Sequence, residues 1–269
     1  MPIELSTPIH VLSQDEYHVI DSVMYGHAMA VHNEYGRLFD EAFYKSEIAD
    51  RCSHSGLTVK REALIRVRHG IFSKDYFVDL LLNDSTVVEA KCAQVITSQH
   101  HGQTLNYLLL AGTDHGSLVN LRPLRVQREF VSTRLTPEQR RLFTITKHRW
   151  PLGDRHRQLE EIAAGFCEDV GLGLDLTLYR QAFSALLVGR TEELVAVPIY
   201  RGNKIIHEHP MQLISQDIAL AVTAMSKINE TRIHLRRLLD HTRMKGIAWI
   251  NLPVGELRFE FLERQNEMG

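Results

Sequence analysis

Cysteine is scarce in this chain of 269 residues: Cys52, Cys92 and Cys167 are odd in number, widely spaced, and form no C-x-x-C pair. That excludes a disulfide framework or zinc ribbon and points to a reducing compartment. Long apolar runs are missing too. The strongest, around Leu108–Ala111, falls far short of the ~18–20 residues that a membrane span needs. Glu4, Asp15 and Glu16 interrupt any signal-peptide pattern near the start, so a cytoplasmic protein is expected. Gly171-Leu172-Gly173 lacks the third glycine of a dinucleotide fingerprint, and there is no Walker lysine. There is no serine nucleophile elbow and no convincing Cys–His pair. His207-Glu208-His209 sets two imidazoles on one face, short of the three or four ligands that zinc takes. With 44% apolar and 24% charged residues the chain is an ordinary globular one, of one large domain or two of usual size.

Neither sign of charge dominates, the net being −2, but the distribution is uneven. Residues 1–131 carry 12 basic and 16 acidic side chains, 132–158 carry 7 and 2, and 159–269 carry 12 and 15. The basic stretch also holds Pro137, Pro151 and Gly153 and reads as a linker between two units.

The pattern of the first unit recurs in the second. Val78–Asp84, a polar helix and Gly116–Leu121 have counterparts in Met211–Asp217, another helix and Gly246–Leu252. Ala42-Phe43 matches Ala182-Phe183, and Arg128–Val131 matches Phe259–Leu262, with the offset drifting from 140 to 133 to 131. Four matches in one order argue for two copies of an α/β unit, within 1–131 and 159–269. In the first, Val31, Tyr35, Leu38, Phe39, Ala42 and Phe43 give one apolar helical face. Strands are expected over Leu57–Val67, Tyr76–Leu82, Thr86–Cys92, Leu118–Leu121 and Arg125–Val131. Asn83-Asp84-Ser85 is a turn, and a helix starts at Thr97 or Ser98 and stops at Gly112. The order α-β-β-β-α-β-β predicts a mixed sheet flanked by helices.

Asp79, Glu89 and Lys91 stand out on the hairpin. With a three-residue loop Leu82 faces Thr86, and Asp79 then lies opposite Glu89, the Cβ atoms ~4.5–5.5 Å apart. Two carboxylates so placed repel unless a cation lies between them, and few hard oxygen ligands with room for water suit Mg²⁺ or Mn²⁺. Lys91 shares the face of Glu89, where an ammonium can orient or deprotonate a water and offset phosphorane-like charge. An ion pair beside an unrelated aspartate is the plainer alternative. A strand as apolar as Val87, Val88, Ala90 and Cys92 makes idle charge expensive.

Asp79 followed by Glu89-Ala90-Lys91 resembles the D…(D/E)-x-K signature of the PD-(D/E)XK nuclease superfamily. Gln103 and Tyr107 at i and i+4 resemble the Q-x-x-x-Y helix of its RecB-like branch. Val31–Tyr44, with His32, Glu34, Glu41 and Tyr44, is similar to the GxxExxY family, although Leu38 stands at its glycine and Val78 replaces the proline before the aspartate. The resemblance covers about residues 20–131. It implies a restriction-endonuclease-like fold in which Asp79, Glu89, the Ala90 carbonyl and Glu41 bind Mg²⁺ or Mn²⁺. Lys91 would assist water, and Gln103 and Tyr107 would line the site or touch the nucleic-acid backbone.

Carrying the offsets across turns Glu41 into Gln181, Tyr44 into Ser184, Asp79 into Gln212, Glu89 into Val222 and Lys91 into Ala224. No metal-binding carboxylate remains in the second copy. Its helix bears Arg232, Arg236 and Arg243 on one face, read as a grip for phosphates. The expectation is therefore a metal-dependent nuclease acting on nucleic acid, DNA ahead of RNA. The degenerate copy would serve as an intramolecular partner, or the chain would form a homodimer. The alternative is a non-catalytic nucleic-acid-binding or scaffold protein.

Overall fold

The computed structural model describes residues 2–189 and 194–264. It divides into two compact units, Met1–Arg68 with Lys74–Pro137, and His69–Ser73 with Glu138–Gly269. Among the described residues no helix is long and apolar enough to cross a membrane.

The first unit runs β1 (Ile3–Leu5), α1 (Gln14–Tyr35), α2 (Glu41–His54), β2 (Val59–His69), β3 (Phe72–Leu82), β4 (Thr86–Lys91), α3 (Ser98–Ala111), β5 (His115–Asn120) and β6 (Gln127–Ser132). Its strands form one sheet in chain order, β1 to β6. β3 and β4 pair antiparallel, β4 and β5 parallel, β5 and β6 antiparallel. The hairpin turn is the expected one. Asn83 and Asp84 both take φ of 50°, a left-handed backbone these residues tolerate, and Leu82 faces Thr86. α3 is capped at Thr97, whose hydroxyl accepts from the His100 amide, and it ends at left-handed Gly112.

The apolar face read through Val31–Phe43 belongs to two helices. Gly36 closes α1 with φ 74° and ψ −156°, a backbone that only glycine adopts without strain. Asp40 then restarts the chain as the N-cap of α2, its side chain accepting from the Phe43 amide at 2.8 Å. Met24, Ala28 and Val31 of α1 and Tyr44, Ile48 and Cys52 of α2 pack on Leu80, Leu82, Val88, Ala90 and Val119. With a strand period of two, Asp79, Glu89 and Lys91 therefore belong to the opposite face, where α3 packs on β4, β5 and β6.

The second unit runs α4 (Pro137–Arg141), β7 (Thr144–His148), α5 (Asp154–Val170), α6 (Leu176–Val188), β8 (Leu194–Arg201), β9 (Lys204–Ser215), β10 (Ile218–Thr223), α7 (Ile228–Asp240), β11 (Gly246–Asn251) and β12 (Glu256–Glu263). Its sheet has the order β8-β9-β10-β11-β12-β7. The first five strands repeat β2 to β6 in order, again with an antiparallel, a parallel and an antiparallel pairing in the same places. The basic stretch 132–158 is not a bare solvated connector. It contributes α4, β7 and the start of α5. Arg140 within it is only 1% exposed and donates to the Val170 carbonyl at 2.9 Å.

Candidate active site

The hairpin of β3 and β4 carries the chemistry. Its paired register runs from Leu82–Thr86 to Leu80–Val88, and Asp79 and Glu89 are the next residues beyond that last pair. Asp79 is 6% exposed and Glu89 1%. Asp79 Oδ2 accepts from the Ala90 amide at 2.9 Å, and Lys91 Nζ donates to Glu89 Oε1 at 2.6 Å. Glu89 Oε2 is buried with no hydrogen-bond partner, a costly state for a carboxylate oxygen. Burial first, then the charge of Asp79, pushes Glu89 up to about 7 against the pull of Lys91. Burial also works against the Lys91 ammonium, but Glu89 outweighs it and holds the lysine charged.

Glu41 opens α2, where the helix N-terminus favours an acidic side chain, and its Oε2 accepts from the Cys92 amide at 3.3 Å. On α3, Gln103 Nε2 donates to the Tyr107 hydroxyl at 2.9 Å. Burial raises Tyr107 against that bond, and the charges of Glu89, Asp79 and Lys91 also reach it, which places the phenol beside the hairpin. All six side chains thus gather around the end of β4.

A seventh was not anticipated. Lys45 Nζ donates to Asp79 Oδ1 and to Glu62 Oε1, both at 2.8 Å. These bonds and charges outweigh its burial and hold it charged. Its signal was available: Lys45 follows Glu41 by one helical turn. The apolar face that runs through Val31–Phe43 conceals where α2 begins, and hence which way that turn faces.

Among the described residues no cluster of three or more His, Cys, Asp or Glu is arranged to hold a metal ion. The donor set nonetheless suits a hard cation. Glu89 Oε2 has no partner, and Asp79 Oδ1 is already neutralised by an ammonium. Hard divalent ions of the Mg²⁺ kind need only one or two carboxylates and keep several waters.

The second unit corrects the sequence offsets. Tyr44 donates to the Gly36 carbonyl at 2.7 Å and accepts from the Phe39 amide; Tyr179 donates to the Gly171 carbonyl at 2.7 Å and accepts from the Leu174 amide. Tyr179, not Ser184, is therefore the counterpart of Tyr44, which makes Leu176 that of Glu41 and Arg180 that of Lys45. Two buried asparagines set the strands. Lys91 pairs with Asn120, whose amide side chain clasps the Ala93 backbone; Thr223 pairs with Asn251, which clasps Met225 in the same way. Lys91 thus corresponds to Thr223, Glu89 to Ala221 and Asp79 to Met211. The expected Ala224, Val222 and Gln212 are each one residue off, and such a slip exchanges the two faces of a strand. Met211, Ala221 and Thr223 line a cavity of about 300 Å³ together with Arg180. Where the first unit holds Asp79, Glu89, Lys91 and Lys45, the second holds Met211, Ala221, Thr223 and Arg180, in a cavity also lined by His209 and Gln212.

The expected arginine face of α7 does not form. Arg232 is clamped by the buried Glu260, Nε to Oε1 at 2.5 Å and Nη2 to Oε2 at 2.9 Å. Arg243 lies beyond the helix end at Asp240, its guanidinium 4.3 Å from the Tyr200 ring. Arg236 remains on the helix, half-buried.

Residues 18–133 match the family model of the PD-(D/E)XK nuclease superfamily. The matched span begins within α1, ends just past β6, and contains Glu41, Lys45, Asp79, Glu89, Lys91, Gln103 and Tyr107. It supports a nuclease and, with it, a nucleic-acid substrate. Two six-stranded mixed sheets flanked by helices accord with a restriction-endonuclease-like fold in tandem. No curated protein and no solved structure matches the chain.

Proposed function

We propose that the first unit is a divalent-metal-dependent nuclease akin to the GxxExxY group of the RecB-like branch, and that the second unit is a duplicate that has lost the site. The carrying observation is the buried carboxylate pair, with Glu89 Oε2 unpartnered and the Lys91 ammonium on its other oxygen. Asp79, Glu89, the Ala90 carbonyl and Glu41 would hold Mg²⁺ or Mn²⁺. The bound ion supplies Lewis acidity and offsets the charge of the phosphoryl group. Lys91 Nζ orients the attacking water and stabilises negative charge as it develops on phosphorus-bound oxygen. The Gln103–Tyr107 pair offers donors to a backbone phosphate. The second unit acts as an intramolecular partner in a cytoplasmic protein, with DNA the first substrate to try.

The test is cleavage of labelled single- and double-stranded DNA and RNA with Mg²⁺, Mn²⁺ or EDTA, beside a Glu89→Ala, Lys91→Ala double variant. Metal-dependent cutting that disappears in the variant is expected. Intact substrates throughout, or equal cutting by the variant, would overturn the proposal.

A second reading, a non-catalytic nucleic-acid-binding protein on a retired nuclease fold, draws on Lys45, whose ammonium already sits on Asp79 Oδ1. In the nuclease reading a cation at that oxygen competes with the lysine. Lys45→Met is then expected to tighten Mn²⁺ binding about tenfold, the scale of one charge-assisted hydrogen bond, as read by calorimetric titration. Unchanged or weaker binding favours the retired enzyme.

A further inference from the structure

The loop between α1 and α2, which runs directly into Glu41, presents apolar side chains to solvent. Leu38 is 81% exposed, Phe39 46% and, on the neighbouring loop after β5, Leu124 is 80%. Phe39 stacks on Phe43 with ring centres 4.4 Å apart, and Phe43 itself packs against the core. The loop is held rigidly for so exposed a segment. Tyr44 bonds to the Gly36 carbonyl and the Phe39 amide, and Arg122 donates to the carbonyls of Arg37 at 2.8 Å and Phe39 at 3.2 Å. Arg37 returns a bond to the Arg122 carbonyl.

These contacts leave two guanidiniums bound to backbone carbonyls alone, with no carboxylate partner for Arg37 or Arg122 among the described residues. The acids nearest to Arg37 in sequence are engaged elsewhere, Glu34 accepting from Arg51 and Asp40 capping α2. Arg122 also lies close enough to act electrostatically on Cys92, whose amide carries Glu41. A fixed aromatic face beside positive charge, continuous with the residues that lead into the candidate site, matches the needs of unpaired nucleic acid. Each base offers a π face to stack and each phosphate a charge to neutralise. A duplex keeps its bases stacked on one another and has no face to offer Phe39.

Resting on the nuclease reading above, we infer that this loop is a stacking platform and that the substrate is single-stranded nucleic acid, or the unpaired part of a duplex. An unpaired base stacks on Phe39 while Arg37 and Arg122 take the flanking phosphates, which feeds the backbone toward Glu41.

The test is fluorescence anisotropy of the full chain in EDTA, where nothing is cut, with a labelled thymidine strand and a duplex of equal length. The wild type is expected to bind the strand several-fold more tightly than the duplex. Phe39→Ala is expected to weaken strand binding about tenfold with little effect on the duplex, and Phe39→Trp to preserve it. Arg37→Gln is expected to lower the salt slope by about 0.7, one phosphate contact on a single strand. Wild-type binding that does not prefer the strand, or Phe39→Ala binding that is unchanged, overturns the inference. So does self-association of the chain that Phe39→Ala abolishes, because the patch then serves a second copy. Cleavage with Mg²⁺ is scored separately. Failure to cut any polymer sinks the nuclease reading whatever the anisotropy shows, whereas cutting with no Phe39 dependence sinks the platform alone.

Discussion

Glu89→Gln is expected to reduce metal-dependent cleavage by about a hundredfold or more and, in the metal-free chain at pH 8, to raise the melting temperature. Loss of even an outer-shell partner of a metal costs roughly 10–100-fold, so loss of a direct ligand, the role proposed for Glu89, costs at least that. The stability gain follows from the proton balance. Glu89 is pushed up to about 7 from an ordinary 4.5, chiefly by burial and then by Asp79. Between those values the folded chain binds a proton that the unfolded chain has released. Stability therefore falls as pH rises across that window and is flat above it. The loss is on the order of 3–4 kcal/mol. Glutamine is neutral at every pH and removes that fall, so the variant and wild type converge near pH 4.5 and separate above 7. Thermal unfolding in EDTA from pH 4.5 to 8 measures it. A variant less stable than the wild type at pH 8 would mean that Lys91, not burial, governs the state of Glu89. The same buried charge that strains the metal-free fold is what a bound cation would relieve.

The second large effect lies away from the hairpin. Asp21 is fully buried and accepts from the hydroxyl of Ser117 and from Arg128 Nη1, the latter at 2.7 Å. Tyr17 completes the network by sharing a 2.7 Å hydrogen bond with Ser117 Oγ. Arg128 is itself held 4.1 Å from the ring centre of Tyr25 and 4.6 Å from that of Phe130. Asp21→Ala removes the partner of a half-buried guanidinium and of a buried hydroxyl at once. A cost of roughly 3–5 kcal/mol is expected, as for other broken buried pairs. Asp21→Asn keeps a hydrogen-bonding side chain and loses only the charge, so it is expected to cost less. Urea unfolding followed by far-UV circular dichroism decides this, read as a lower midpoint at unchanged slope. A midpoint within experimental error of the wild type would show that the network is not holding α1 to β5 and β6.

Much of the architecture was legible because its signals are local. The hairpin could be read from Asn83-Asp84-Ser85, and α3 from Thr97 and Gly112, since caps and turns are decided by neighbours within four residues. One apolar face runs through Val31–Phe43 although the helix breaks between them, because hydropathy alone does not register the break. Gly36 and Asp40 hold the information that α2 begins anew, and it lies in their backbone preferences rather than in hydropathy. The strands of the second unit lie one residue away from the sequence offsets. Aligned apolar segments such as Val78–Leu82 and Met211–Ser215 look alike at either register, because both faces of these strands are buried.

The amino-acid sequence by itself determined the hairpin turn that sets Leu82 against Thr86 and the placement of Lys91 on the same strand face as Glu89. These follow from spacing along one strand or one turn, where geometry is nearly rigid. Only the tertiary structure decided that Lys45 sits on Asp79, that Arg232 is neutralised by Glu260, and that Met211, Ala221 and Thr223 occupy the equivalent positions in the second unit. Those pairings join residues 28 to 34 apart on different elements. A long side chain's choice of partner there depends on how helix and sheet pack, and no local period encodes it.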